Sequence, residues 1–464
     1  MSPEDAHTYS RRSVLRAGGL ALAGGAVARV SGSQQRLHWR YPTGGAVFSS
    51  PTVWDETVFV GSQGGGVYAV DSATGTLEWE FKTDKPVNSS PLVAAVDAGE
   101  NEERATDQHG QLETEQRTVV IVGCDDSYLY ALDAETGELY WEFETGGRIQ
   151  ATPRIRDETV YVTSDHDGVY TIDASTGEQR WYVEKSAVMH SSPTVVGETL
   201  FVRAGNLLAL DIESGWERWE YEIGSGTFSS PTVVGDTVYV GDRETRVGEP
   251  GSHGNIHAVD ARSGDRRFRI ETDEFIDSSP TVSVVEPETA RATASSETVF
   301  VGGWFNTIGE TEEHGSVFAV DAVTGSERWR VQTDGRVLSS PTTAGGVVFV
   351  GSWDHGLYAL DSATGEQRFR FETDDKISSS PVVVDGTVFV GGMDGHLYGI
   401  DAGVDGSSTD SRVRGRLDSV QLREEDRSLI PGGQLGSSSQ FAIGAGAVGG
   451  LLSGLGLLYN SRSG

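Results

Sequence analysis

The chain has 464 residues, 69 acidic against 36 basic side chains, a formal net charge of −33 and one cysteine. This balance excludes nucleic acid as a partner, because phosphate binding needs a basic footprint. A lone thiol, Cys124, excludes any disulfide within the chain and reads as a small buried hydrophobe in a strand.

In chain order, residues 1–32 read as an export signal. Ser10-Arg11-Arg12-Ser13-Val14-Leu15 is a twin-arginine pattern followed by a short Ala/Gly/Leu stretch, and Ala26-Val27-Ala28 is a small-residue cleavage site. Next, His38-Trp39-Arg40-Tyr41 reads as a single strand with no partner nearby in sequence.

From Ser49-Ser50-Pro51 to Ser379-Ser380-Pro381 one unit returns eight times, with Ala151-Thr152-Pro153 as its most divergent opening. Each unit gives that turn, a hydrophobic strand of the Val-Phe-Val-Gly kind, a strand closing on Asp and, in all but the last, a strand carrying Trp or Phe. A period of about 40 residues built of four short strands predicts a β-propeller blade. The fourth strand is present at Trp79, Trp141, Trp181, Trp219, Phe268, Trp329 and Phe369, but Asp401 is followed by Ala402-Gly403-Val404-Asp405-Gly406 with no aromatic strand. The predicted fold is therefore all-β, an eight-bladed propeller of four-stranded antiparallel blades over residues 33–403. The strand around Trp39 closes the ring and hides an edge that would otherwise invite aggregation.

Within Leu129-Tyr130-Ala131-Leu132-Asp133, alternate side chains point to opposite faces. Asp133-Ala134-Glu135-Thr136-Gly137 reads as a hairpin turn, and Trp141 then packs between blades with an indole N–H that needs a carbonyl. These residues resemble the Ala-x-Asp-x-x-Thr-Gly-x-x-x-Trp docking motif of the quinoprotein-type (PQQ-like) propeller repeat family, over roughly residues 38–403. For the catalytic members of that family, the resemblance implies pyrroloquinoline quinone and calcium in the funnel, adjacent cysteines forming a disulfide over the quinone, a Trp beneath it, and a Glu/Asn/Asp calcium set. One cysteine makes that disulfide impossible, and the candidates for the acidic and amide roles, Asp277 and Asn88, lie several blades apart. The non-catalytic, BamB-like members use the same blades as a protein-binding platform.

Past the ring, residues 404–440 are polar and read as a linker, and 441–459 are uncharged and rich in Gly, Ala and Leu. About 20 apolar residues cross a bilayer, so 441–459 is read as a C-terminal anchor, with a flexible Gly-rich tail as the other reading. Lysine occurs only at Lys82, Lys85, Lys185 and Lys376. An acidic, lysine-poor chain resembles proteins of salt-loving archaea, where high ionic strength screens self-repulsion.

The loops before each first strand and those joining second to third strands open on one face of such a ring. The residues preceding each Ser-Ser-Pro vary while the frame repeats, which marks Phe48, Asn88, Gln150, His190, Phe228, Asp277 and Leu338 as candidate partner-binding positions. Trp304 joins them, because Trp304-Phe305 beside Arg243 reads either as a contact surface or as a plug for its own loop. His and Asp pairs in Asp165-His166-Asp167, Asp354-His355 and Asp394-Gly395-His396 suit a divalent metal as residue types, yet hairpin turns require the same residues.

The resulting reading is an exported, membrane-tethered scaffold that binds an extracytoplasmic protein or cell-envelope component through its funnel face, with no catalytic residue, cofactor or metal assigned. The alternative is a quinoprotein dehydrogenase oxidising alcohols or sugars with pyrroloquinoline quinone and calcium.

Overall fold

Short β-branched runs separated by Asp, Gly and Ser turns fold into eight antiparallel four-stranded sheets. The computed structural model describes residues 36–97, 116–224, 228–244, 253–285, 296–305 and 314–408. The signal region 1–32, the anchor at 441–459 and most of the linker lie outside the described residues. No helix among the described residues is long and apolar enough to cross a membrane.

Blade 1 shows the plan, with strands Thr52–Trp54, Thr57–Ser62, Gly66–Asp71 and Leu77–Lys82 in that spatial order. Its middle strands are buried along nearly their whole length, because neighbouring blades cover both faces. The outer strand alternates, with Trp79 turned inward and Glu78 and Glu80 in solvent. There is accordingly no single central core. Hydrophobic clusters sit at the blade contacts, such as Leu129 and Trp141 of blade 2 against Val160 and Tyr170 of blade 3.

Blade 8 combines Val382–Val384, Thr387–Gly391 and His396–Asp401 with Leu37–Pro42 from the other end of the ring. Trp39 lies opposite Gly399 and Tyr41 opposite Leu397. The Trp39 indole then donates to Ser72 O of blade 1 at 2.9 Å. The same bond recurs from Trp79 to Ala134 O at 2.9 Å, from Trp141 to Ala174 O at 2.8 Å and from Trp329 to Ser362 O at 3.0 Å. Where Phe268 replaces Trp, no ring donor exists, and the Tyr239 hydroxyl reaches the equivalent carbonyl of Ala322 at 3.0 Å.

A second set of bonds, a serine belt, links seven of the eight neighbouring blade pairs around the channel. The Ser50 N–H donates to Ser90 Oγ at 2.8 Å, Ser192 N–H to Ser230 Oγ at 2.9 Å and Ser340 N–H to Ser380 Oγ at 3.0 Å. Ser380 N–H returns to Ser50 Oγ at 3.0 Å and joins the last blade to the first. The last hydrogen bonds of the ring run slightly past residue 403, for Ser408 N–H donates to Val383 O at 2.8 Å.

Candidate functional site: the channel mouth

In six of the eight blades, those whose second strand ends at or near glycine, the loop from the fourth strand of one blade to the first of the next is pinned at two points. Its aliphatic residue fills the space left by a glycine at the end of a second strand, as Val87 does at Gly61, where an added Cβ would lie 2.4 Å from a Val87 methyl carbon. Its first serine holds its own blade, as Ser49 Oγ does in accepting the Gly61 N–H at 3.0 Å. With the residues on both sides fixed, the one between them is turned toward the channel axis.

The result is a cavity of about 400 Å³. Its wall includes Phe48, Asn88, Gln150, His190, Phe228 and Leu338, with Ser378 completing the circuit and the serine belt lying among its lining. Asp277 and Trp304 are not in that wall. Arg243 reaches across from the loop between second and third strands, its Nε donating to Asp277 Oδ1 at 2.7 Å and its Nη2 to Oδ2. The Trp304 indole N–H also donates to Asp277 Oδ2, and Trp304 and Phe275 exchange backbone hydrogen bonds of 3.0 and 2.9 Å. Trp304 is buried among Phe275, Arg243 and Arg336, so its packing is that of a plug.

Around the wall, second-to-third-strand loops hold the cavity residues from behind. Asp125 accepts from Asn88 Nδ2 at 3.1 Å and from Gln150 Nε2 at 2.9 Å. Asp165 accepts from the Met189 N–H at 3.0 Å and lies 3.1 Å from both His190 Nε2 and Arg148 Nη2. Burial works to raise the Asp165 pKa, and the Met189 N–H and His190 outweigh it, holding the carboxyl below its ordinary value. His190 stacks on Phe228, with centroids 4.9 Å apart and planes 17° apart, and Phe228 remains 49% exposed. Further round, Arg336 lies 4.0 Å from the Trp304 ring and 4.9 Å from Trp353, with the Lys376 ammonium 4.2 Å from Trp353. The Trp353 indole donates to Ser378 Oγ at 2.8 Å.

Sequence reasoning missed Asp125, and it met Asp165, Arg243 and Trp353 only as loop residues, without the roles they take behind the cavity wall. A signal was present: each stands two residues after the end of a second strand, at Gly123, Thr163, Gly241 and Gly351. Of the loop carboxylates weighed as metal ligands, Asp165 is taken by Met189, His190 and Arg148, and the others accept from tyrosine hydroxyls. Asp167 accepts from the Tyr170 hydroxyl and Asp354 from that of Tyr358, each at 2.6 Å. Among the described residues no group of three His, Cys, Asp or Glu side chains is placed to hold a metal ion.

The residues present do not fit a quinone with calcium. Among the described residues, no carboxylate lines the cavity. Those beside it are engaged by amides at Asp125, by His190 and Arg148 at Asp165, and by Arg243 and Trp304 at Asp277. The one thiol, Cys124, is fully buried, which pushes its pKa up to about 12.

Two family models match the chain. That of the outer membrane protein assembly factor BamB covers residues 93–253, 252–404 and 313–435, and that of the glucose/ethanol/alcohol dehydrogenase β-propeller domain covers 33–150. Among solved structures, BamB from Moraxella catarrhalis is similar, at 18% identity and TM-score 0.56, covering 79% of this chain and 97% of that one. Quinohemoprotein alcohol dehydrogenase from Comamonas testosteroni is also similar, at 18% identity and TM-score 0.55, covering 80% of this chain and 76% of that one. Both likenesses show the fold. The beta-alanine-activating enzyme of Danio rerio is 38% identical over 116 residues, and that stretch is 25% of this chain but only 10% of the relative.

Proposed function

From the premise that the chain belongs to the PQQ-like β-propeller family, whose matching model is that of the assembly factor BamB, we propose a binding scaffold that meets an extracytoplasmic partner at its channel mouth. The observation that carries this reading is the cavity wall itself. It offers amides, hydroxyls and aromatic faces, while the carboxylates beside it are already engaged. Such a surface recognises shape and hydrogen-bonding pattern without a free acid or base for chemistry.

The twin-arginine pattern before the ring and the apolar stretch 441–459 after it support export in the folded state and attachment to the membrane. The charge of −33, carried on few lysines, supports work in high salt.

The test uses a photo-crosslinking residue in place of Phe228 or His190, with the same residue in place of Trp216 as control, because Trp216 is 79% exposed in a turn at the opposite end of its blade. Crosslinking of one defined envelope component from the mouth positions, and not from position 216, is the expected result. Alcohol- or sugar-dependent dye reduction after adding pyrroloquinoline quinone and calcium would overturn the scaffold reading.

A further inference from the structure

In a chain of net charge −33, the lining of the cavity at the channel mouth has, among the described residues, no carboxylate and one guanidinium, that of Arg154. Arg154 opens the first strand of blade 3, directly after Pro153. At the same place five other blades carry Thr52, Thr194, Thr232, Thr281 and Thr342. Those threonines bond outward to the next blade, as Thr52 Oγ1 does to Pro91 O and Thr194 Oγ1 to Pro231 O, each at 2.6 Å. Blade 3 gives up that bond and sets a cation against the cavity.

The serine belt adds hydroxyl donors at the same level. Ser90, Ser230 and Ser380 each use Oγ to accept a backbone N–H from the preceding blade, so the hydroxyl proton is directed elsewhere, and these serines line the lumen. On one side, Asp125 fixes the amide nitrogens of Asn88 and Gln150, which orients their carbonyl oxygens and remaining N–H groups. Elsewhere on the wall the exposed ring of Phe228 is held flat by His190.

Rigid amides, donor hydroxyls and a flat aromatic face are complementary to a pyranose. Its hydroxyls both donate and accept, and its C–H face packs on a ring. An arginine in a lumen whose described lining carries no carboxylate selects an anionic group on that sugar. We infer that the channel mouth binds an acidic saccharide of the uronate class, with the carboxylate directed to Arg154 and a sugar face on Phe228. This rests on the proposed reading that the cavity is a binding site.

The experiment is calorimetric titration of the intact protein with digalacturonate, with cellobiose as a neutral disaccharide and acetate as the anion alone, at equal ionic strength. Digalacturonate is expected to bind at least about tenfold more tightly than cellobiose or acetate. Arg154→Thr, which installs the residue of the sister blades, should keep the thermal melt and lower digalacturonate affinity to that of cellobiose. Phe228→Ala should weaken both sugars. Absence of digalacturonate binding, equal binding of either comparison ligand, or an Arg154→Thr variant that binds as before would overturn the inference. If Phe228 still crosslinks an envelope component while digalacturonate does not bind, the saccharide assignment falls and the scaffold reading stands.

Discussion

The indole N–H of Trp39 donates to the carbonyl oxygen of Ser72 at 2.9 Å, and by that bond the blade made from both ends of the ring holds the first blade. Trp39 is also packed in the cluster that joins these two blades, with Val58, Tyr68 and Phe389. Trp39→Phe keeps most of that packing and removes the bond, as Phe268 already does in blade 5, so it should cost about 1 kcal/mol. Trp39→Ala also opens a cavity at the ring closure and should cost about 3–5 kcal/mol. Urea midpoints of the two variants check the order, and equal midpoints would show that the closure is not held there.

Glycine in the Thr-Gly turn is required twice over. Gly75 has φ +71°, and a Cβ there would lie 2.6 Å from the Trp39 ring, whereas Gly197 has φ +57° with nothing within 4 Å of an added Cβ. Gly197→Ala should cost only the left-handed backbone penalty, about 1–2 kcal/mol. Gly75→Ala should cost that plus an overpacking term of about 1–3 kcal/mol. Paired urea denaturations measure the difference, which vanishes if Trp39 can move aside freely.

Acid should loosen the ring through its repeated turn aspartates. Asp260 is held at about 2 by its bond to Arg267. Burial opposes ionisation of Asp173 and Asp321, yet Arg180 and Ser175 bring the first to about 2, and the Thr324 N–H and Arg328 bring the second to about 2. The ordinary value is 3.8, so the folded state binds these protons less readily than the unfolded chain. Their stabilisation is complete above that value and is lost as pH falls through it toward 2. The urea midpoint should therefore drop across that window. A triple Asp→Asn variant at 173, 260 and 321 should start lower at neutral pH and fall less steeply, and parallel slopes would sink the assignment.

The frame was legible because it repeats. Ser-Ser-Pro, the strand-ending glycine, the turn aspartate and the inter-blade tryptophan each solve one packing problem eight times or nearly so, and repetition separates them from chance. Ring closure by Trp39 followed from an absence, the missing aromatic strand after Asp401. The cavity was legible only in part. Position before Ser-Ser-Pro indicates that Phe48, Asn88, Gln150, His190, Phe228 and Leu338 face the axis, but it cannot show that Arg243 from another loop turns Asp277 aside. Pairings such as Asp125 with Gln150 depend on how far two loops rise above the ring, and strand periodicity does not encode that height.

Folding and recognition should separate at two neighbouring residues. The Asp277 side chain is fully buried and takes bonds from Arg243 and Trp304, so Asp277→Ala strands a guanidinium beside an unpaired indole N–H. Breaking a buried pair from one side costs about 3–5 kcal/mol. Phe228 is 49% exposed and its ring rests on His190, so Phe228→Ala should change stability by less than about 1 kcal/mol. The two loops are adjacent, since the Arg243 guanidinium lies 6.0 Å from the Phe228 ring. If the mouth is a recognition surface on a rigid frame, Phe228→Ala lowers partner capture with an unchanged urea midpoint, and Asp277→Ala lowers the midpoint first. A Phe228→Ala variant that captures its partner as before would remove the aromatic shelf from the binding surface.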